Sequence, residues 1–235
     1  MNPYNPYTQH LAGAPASVDS SAFFRKVYAY MAGGLFATGV TATAVASSES
    51  LAKMIWGNQI VFFGLIIAEV IMVLSFSKVV SRLSTTGAAA FFLAYAVLNG
   101  LTLSIIFLAY TASSIASTFF VTAGTFGALS AYGYVTKRDL TGVGNFAMMG
   151  LIGLIIASIV NIFLNSPMMY WLTTFVGVIV FTALTAYDTQ KLKQFAASSS
   201  SPDQQSKVAL QGALMLYLDF INLFLYLLRV LGRRR

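Results

Sequence analysis

The stretch LSTTGAAAFFLAYAVLNGLTLSIIFLAYTASSIASTFFVTAGTFGALSAYGYVT, residues 83–136, contains no charged residue. Its 54 residues suffice for two membrane spans of about 20 residues joined by a tight turn. Residues 140–187 form a second uncharged run, 48 residues long, with room for two more. Working outward, 27–48 is uncharged, 54–77 is interrupted only by Glu69, and 208–228 only by Asp219. Seven spans follow, placed at about 27–46, 56–77, 86–109, 113–136, 142–164, 168–188 and 208–228. Alternation of period two is absent, so the spans are helices and not barrel strands. The fold class is all-α, a polytopic membrane protein with seven transmembrane helices.

Composition agrees. Of 235 residues 57% are hydrophobic and 9% charged, against roughly 25% charged in soluble domains. A soluble enzyme, a secreted protein and a disordered chain are excluded. There is no cysteine, and the single histidine, His10, lies in a polar N-terminal stretch. Disulfides, thiolate metal sites, a histidine zinc site and an intramembrane Ser/His/Asp triad are excluded with them. The formal charge of +7 sits at span ends and not in one patch. It reports membrane orientation, and no nucleic-acid partner is expected.

The chain divides into a polar tail at 1–22 (MNPYNPYTQHLAGAPASVDSSA), expected to be disordered, a transmembrane domain at 23–232, and a basic tail at 233–235. The first apolar run is long enough to remain as an anchor and not be cleaved as a signal peptide. The connector 189–207 contains AASSSSPDQQS and is expected to be a flexible loop. With the N-terminus cytoplasmic, Arg25, Lys26, Lys78, Arg82, Lys137, Arg138, Lys191, Lys193 and Lys207 lie inside and only Lys53 lies in an outer loop. That orientation is favoured, although it places Arg229 and Arg233 to Arg235 outside if the last segment crosses fully. Small residues spaced by four, Gly33/Ala37/Thr41, Ala123/Gly127/Ala131 and Gly153/Ala157, are expected to be helix-packing seams.

Seven acidic residues exist, and Asp19, Glu49, Asp139 and Asp203 fall in the tail or loops. Glu69, Asp188 and Asp219 fall inside or at the edge of spans, where an ionised carboxylate costs about 2.5–3.5 kcal/mol or more. Asp219 belongs to a stripe of Gln211, Met215, Asp219, Asn222 and Tyr226 at helical spacing, which gives the last helix a wet or buried polar face. Asp188 ends the sixth span on the side where the seventh begins, so the two carboxylates can meet within the bilayer. Within about 4 Å of each other both cannot be ionised at neutral pH, and one proton is shared. The pair is a candidate proton sensor and a candidate calcium ligand set. The alternative for Asp188 is a helix-end position in water, paired with Lys191 or Lys193. Glu69 is read as a pore-lining residue or as one bonded to a neighbouring helix. Asn99, beside Tyr95 and Thr102, is read as an interhelical hydrogen bond or a polar-face residue.

GVIVFTALTAYDTQKLK at 177–193 and LYLDFINLFLYLLRVLG at 216–232 resemble the C-terminal signature of the Bax-inhibitor family of transmembrane proteins. TAGTFGALSAYGYVTKRDL at 122–140 is similar to its bacterial branch. The resemblance covers the chain after residue 24. It implies a central last helix wrapped by six others and a pH-sensitive calcium leak, with an aspartate pair on the last two helices as latch and proton sensor. The matching positions are Asp188 and Asp219. The family latch also uses an arginine at the end of the second helix. The matching position here is Val80, flanked by Lys78 and Arg82, either of which is a candidate replacement.

The expected function is a cation leak, for calcium, gated by protonation of Asp188 and Asp219, in a bacterial inner membrane; protonation would weaken an ion pair to Lys78 or Arg82, so acid is expected to loosen the cytoplasmic closure. Calcium would be cargo; no cofactor is expected. A second reading is a non-transporting protein that binds and modulates other membrane machinery such as proteases. A third is an intramembrane aspartyl protease, since two aspartates on consecutive helices can serve as acid and base. Leu216-Tyr217-Leu218 before Asp219 leaves no glycine for a substrate backbone, so no enzyme activity is expected.

Overall fold

The computed structural model describes residues 20–198 and 201–235. The chain forms nine helical segments among them: α1 (Ser20–Ala46), α2 (Glu49–Trp56), α3 (Gln59–Arg82), α4 (Thr85–Leu103), α5 (Ile105–Ala109), α6 (Ala112–Val135), α7 (Thr141–Leu164), α8 (Pro167–Ser198) and α9 (Pro202–Leu231). Seven helices, counting α4 with α5 as one, are long and apolar enough to cross a membrane.

Caps set the helix starts. Asn58 Oδ1 accepts from the Ile60 and Val61 amides, Ser84 Oγ from Gly87, Thr111 Oγ1 from Ser114, and Ser201 Oγ from Gln204 ahead of Pro202 at the first helical position. Each side chain satisfies amides that the helix itself leaves without acceptors. Asn165 closes α7 in the left-handed region, at φ 47°. The third span, expected to be continuous over 86–109, is interrupted at Ser104. Its hydroxyl donates to the Leu101 carbonyl at 2.6 Å and accepts from Trp56 Nε1 at 3.0 Å. Trp56 ends α2, a short helix that the span count passes over.

α9 is the central element. It packs against α8, α1 and α6, and less extensively against α4 and α3. Half of its apolar window is buried, against 6% for α3, which is therefore a lipid-facing helix. On one side α3 packs on α4 and α4 on α1; on the other α6 and α7 both pack on α8. The core follows α9: Leu210, Ala213, Leu216 and Tyr217 are sealed from solvent in one cluster with Val27, Phe92 and Val80, and Leu223 in a second with Leu154, Phe181 and Leu184. Outward faces carry Ile60, Leu74, Phe163 and Met168, each at least 80% exposed, as lipid contact requires.

Three expectations are corrected. The connector 189–207 is helical over 189–198 and 202–207. Thr185, Thr189, Leu192 and Ala196 form a fully buried stripe at helical spacing, which lysines on the neighbouring faces of α8 mask in the composition. Of the tail 1–22, residues 1–19 lie outside the described residues, and 20–22 begin α1. The small-residue rows are not the seams: a Cβ at Gly33, Gly127 or Gly153 meets nothing within 4 Å. Close approach occurs instead at Gly100 against the Thr38 backbone, at Gly133 against the Ala186 carbonyl, and at Gly34, Gly144 and Gly177 under Phe92, Tyr187 and Tyr226. Spacing by four fits Gly34/Thr38/Ala42 as well as Gly33/Ala37/Thr41, and burial selects the former row.

The chain ends at the membrane face opposite the start of α1. Arg233 N donates to Ser114 Oγ at 3.0 Å, the Thr111 amide donates to Arg233 O at 3.1 Å, and the Arg235 amide donates to Ala109 O at 3.1 Å. Arg234 donates to the Tyr170 hydroxyl at 2.9 Å. The last helix crosses fully, and the basic tail is tied to the α5–α6 junction.

Candidate functional site

Asp188 and Asp219 are 7% and 4% exposed, on helices packed along much of their length. Their carboxyl groups stand within hydrogen-bonding reach of each other. Asp219 Oδ2 is buried with no hydrogen-bond partner. A carboxylate has only acceptors, so a hydrogen bond between two of them requires a proton on one. The water-facing alternative for Asp188 does not hold, because α8 continues ten residues beyond it to Ser198. Lys191 lies instead over the Tyr187 and Phe195 rings, at 5.6 and 5.7 Å, and Lys193 donates to the Tyr134 carbonyl. Next to Asp188, the Thr189 hydroxyl donates to the Thr185 carbonyl at 2.8 Å and lies 3.2 Å from the Ser130 hydroxyl, tying α8 to α6.

The expected latch cations do not join the pair. Lys78 and Arg82 are both exposed, while Val80 between them is sealed in the core. At 3.6 residues per turn, positions two residues either side of Val80 lie about 160° around α3 from it, so 78 and 82 are turned away from its face. Among the described residues the ion pairs are Lys53–Glu49 and Lys207–Asp203.

A second polar cluster lies on another face of α9. The Glu69 carboxylate accepts from Thr102 Oγ1 at 2.7 Å and Asn99 Nδ2 at 3.2 Å. Tyr217 donates to Asn99 Oδ1 at 3.0 Å, and its hydroxyl meets Thr38 Oγ1 at 2.7 Å. Glu69 and Asn99 are therefore brought together, but apart from the aspartate pair. Sequence reading passed over Tyr217 and Thr38. The available signal was Tyr217 two residues before Asp219, at a helical angle that places it on the opposite side of α9.

The expected stripe on α9 splits. Asp219 is buried, whereas Gln211, Met215, Asn222 and Tyr226 are only half buried. Gln211 donates to Ser77 of α3 at 3.1 Å, Asn222 to the Leu218 carbonyl, and Tyr226 stacks on Phe181 of α8. This face of α9 thus looks out between α3 and α8. No group of three or more His, Cys, Asp or Glu side chains that could hold a metal occurs among the described residues. Two carboxyl groups fall short of the six to eight oxygens of a resident calcium site.

Residues 20–235 match the family described as inhibitor of apoptosis-promoting Bax1. The chain belongs to the Bax inhibitor family. It is 49% identical to inner membrane protein YbhL of Escherichia coli K12 over 91% of this chain and 92% of that one. A Borreliella burgdorferi protein is 43% identical over 91% and 92% of the two chains, and a Caulobacter vibrioides protein 38% identical over the whole of both. The aspartate pair and the Glu69 cluster thus sit in a Bax inhibitor family membrane protein with seven apolar spans.

Proposed function

We propose that the protein is a proton-gated cation leak, for calcium, in a bacterial inner membrane, with its basic face cytoplasmic. The supporting observation is the contact between the buried Asp188 and Asp219 carboxyl groups on two packed helices. The charged groups acting on the pair are the two aspartates themselves and Lys191. With Lys78 and Arg82 exposed, closure rests on a proton held between the carboxyl groups. Removing it leaves two like charges, which at about 4 Å repel by about 4 kcal/mol at an effective dielectric constant of 20. Helices α8 and α9 then separate beside the half-buried polar face of α9, and carboxylate oxygens meet a hard cation. The sign follows: alkaline conditions open the leak and acid closes it, the reverse of a latch built on an arginine.

Calcium flux from proteoliposomes across a pH series tests this. Flux should rise with pH in the wild type and stay low and flat in Asp219→Asn, where no pair of charges can form. Flux indifferent to both pH and the substitution ends the proposal.

A further inference from the structure

α1 and α6 border α9 without packing along each other. Between them an open groove crosses the whole protein in two connected halves, of about 840 and 880 Å³, sharing Ala32, Leu35 and Phe220. Along α1 it runs from Ser21 to Ser47, about 39 Å at 1.5 Å per residue, the thickness of a bilayer with its headgroups. Phe220, Ile221 and Phe224 of α9 make its floor. Gly127 widens it, since a Cβ there meets nothing within 4 Å.

The groove has a polarity. No acidic side chain lines it, and its one charged lining residue is Arg25, at the end where α1 begins. Arg25 is exposed and takes part in neither of the ion pairs among the described residues. Phe24 and Tyr134 meet edge-on beside it, ring centroids 4.9 Å apart, and Lys193 lies 5.2 Å from the Tyr134 ring. An aromatic and cationic rim at one end of an apolar trough is the arrangement that holds a lipid headgroup at the interface and its chains in the interior. We propose that the groove between α1 and α6 is a binding site for one anionic phospholipid, its phosphate at Arg25 and its acyl chains laid along α9. A transmembrane helix in the same trough would leave Arg25 unanswered unless it carried an acid at that level. The lipid supplies the anion by its own chemistry.

The absence of cysteine makes the test clean. Gly127→Cys, labelled with bimane, reports on the groove, and Phe146→Cys on the 75% exposed outer face of α7 reports on ordinary boundary lipid. The vesicles are equimolar phosphatidylglycerol and phosphatidylcholine, with bromine on the chains of one or the other. Brominated phosphatidylglycerol should be favoured about five-fold at Gly127→Cys, the worth of one arginine near a membrane surface, and not at Phe146→Cys. Arg25→Gln should abolish the preference and Arg25→Lys keep it. Native mass spectrometry of the unlabelled wild type should retain one phosphatidylglycerol that Arg25→Gln loses. Equal quenching by both lipids means boundary lipid only and overturns the proposal. Protection from both, with Gly127→Cys crosslinking to a second copy or another protein, overturns it in favour of a helix.

Discussion

Tyr217 donates its phenolic proton to Asn99 at 3.0 Å from the face of α9 opposite the one that presents Asp219, two residues on, to Asp188. One helix therefore carries both polar sites of the bundle. The Asn99 site is saturated, since Asn99 also donates to Glu69 and the Tyr217 hydroxyl also meets Thr38. The aspartate site is not, with Asp219 Oδ2 lacking a partner. A saturated network fixes geometry, and an unsatisfied one is poised to change its protonation or take a ligand.

The saturated cluster should behave as structure. Tyr217→Phe removes the donor to Asn99 Oδ1 while leaving the one Thr38 hydroxyl proton the Gly34 and Ala96 carbonyls as acceptors. The expected loss is about 0.6 kcal/mol and at most about 1.7, the range for interhelical hydrogen bonds in lipid. Asn99→Leu deprives both Tyr217 and Glu69 and should cost more. Thermal unfolding in detergent measures both, and the pH profile of flux should keep its shape in Tyr217→Phe.

Glycine positions separate packing from open space on a single helix. At Gly133 of α6 a Cβ would collide with the Ala186 carbonyl, a backbone atom that can yield only if α6 moves off α8. Gly133→Ala should destabilise by about 1–3 kcal/mol, the cost of overpacking. Gly127→Ala, six residues earlier on the same helix, meets nothing and should be neutral or stabilise by up to about 1 kcal/mol through helix propensity. Unfolding midpoints that move together for the two variants would contradict this.

The number of spans and their order were legible because they depend on charge-free length. What the sequence left open was rotation. Four-residue spacing identifies a stripe on α1 but not whether Gly33 or Gly34 faces inward, and the same ambiguity concealed the outward turn of Lys78 and Arg82 around Val80. The helical extension of α8 past Asp188 was hidden for a different reason. Its buried stripe of Thr185, Thr189, Leu192 and Ala196 contains two threonines and an alanine, which hydropathy scores weakly. Tertiary burial against α6 and α9, not propensity, keeps that segment helical.

Exposed charges should leave the gating response alone. Lys78→Gln and Arg82→Gln should shift the midpoint of the flux profile little, because neither side chain is paired with the aspartates and salt screens exposed charges. Asp139 offers a sharper control. The Thr141 hydroxyl and backbone amide hold its carboxyl below the usual carboxylate range. A depressed value means that its contribution to stability is present above the unfolded value near 3.8 and is lost as pH falls through the lower, folded one. Any response between pH 5 and 8 lies outside that window, so Asp139→Ala should preserve it. Abolition of the response by Asp139→Ala would move the sensor to the α6–α7 loop.

The two ends of the described chain lie on opposite faces of the membrane. Ser20 begins α1 at the face that also carries Lys137 and Lys207, and Lys26 bonds to Ser206 there at 3.1 Å. Arg235 is tied to Ala109 at the other face. Seven crossings demand this, yet four arginines on the face with few other basic residues oppose the positive-inside tendency. Hydrogen bonds and aromatic faces compensate: Arg229 lies over the Tyr170 and Tyr226 rings at 5.5 and 5.1 Å, and Arg234 bonds to Tyr170. The nine basic residues of the other face outnumber them, and the first helix usually dominates orientation. Single cysteines at Lys137 and at Arg235, in a chain that has none of its own, should therefore react with a membrane-impermeant maleimide from opposite sides. In intact spheroplasts the expected result is labelling at 235 and protection at 137 until the membrane is permeabilised. Labelling of both from one side would mean an even number of crossings, and α9 would then lose its place through the centre of the bundle.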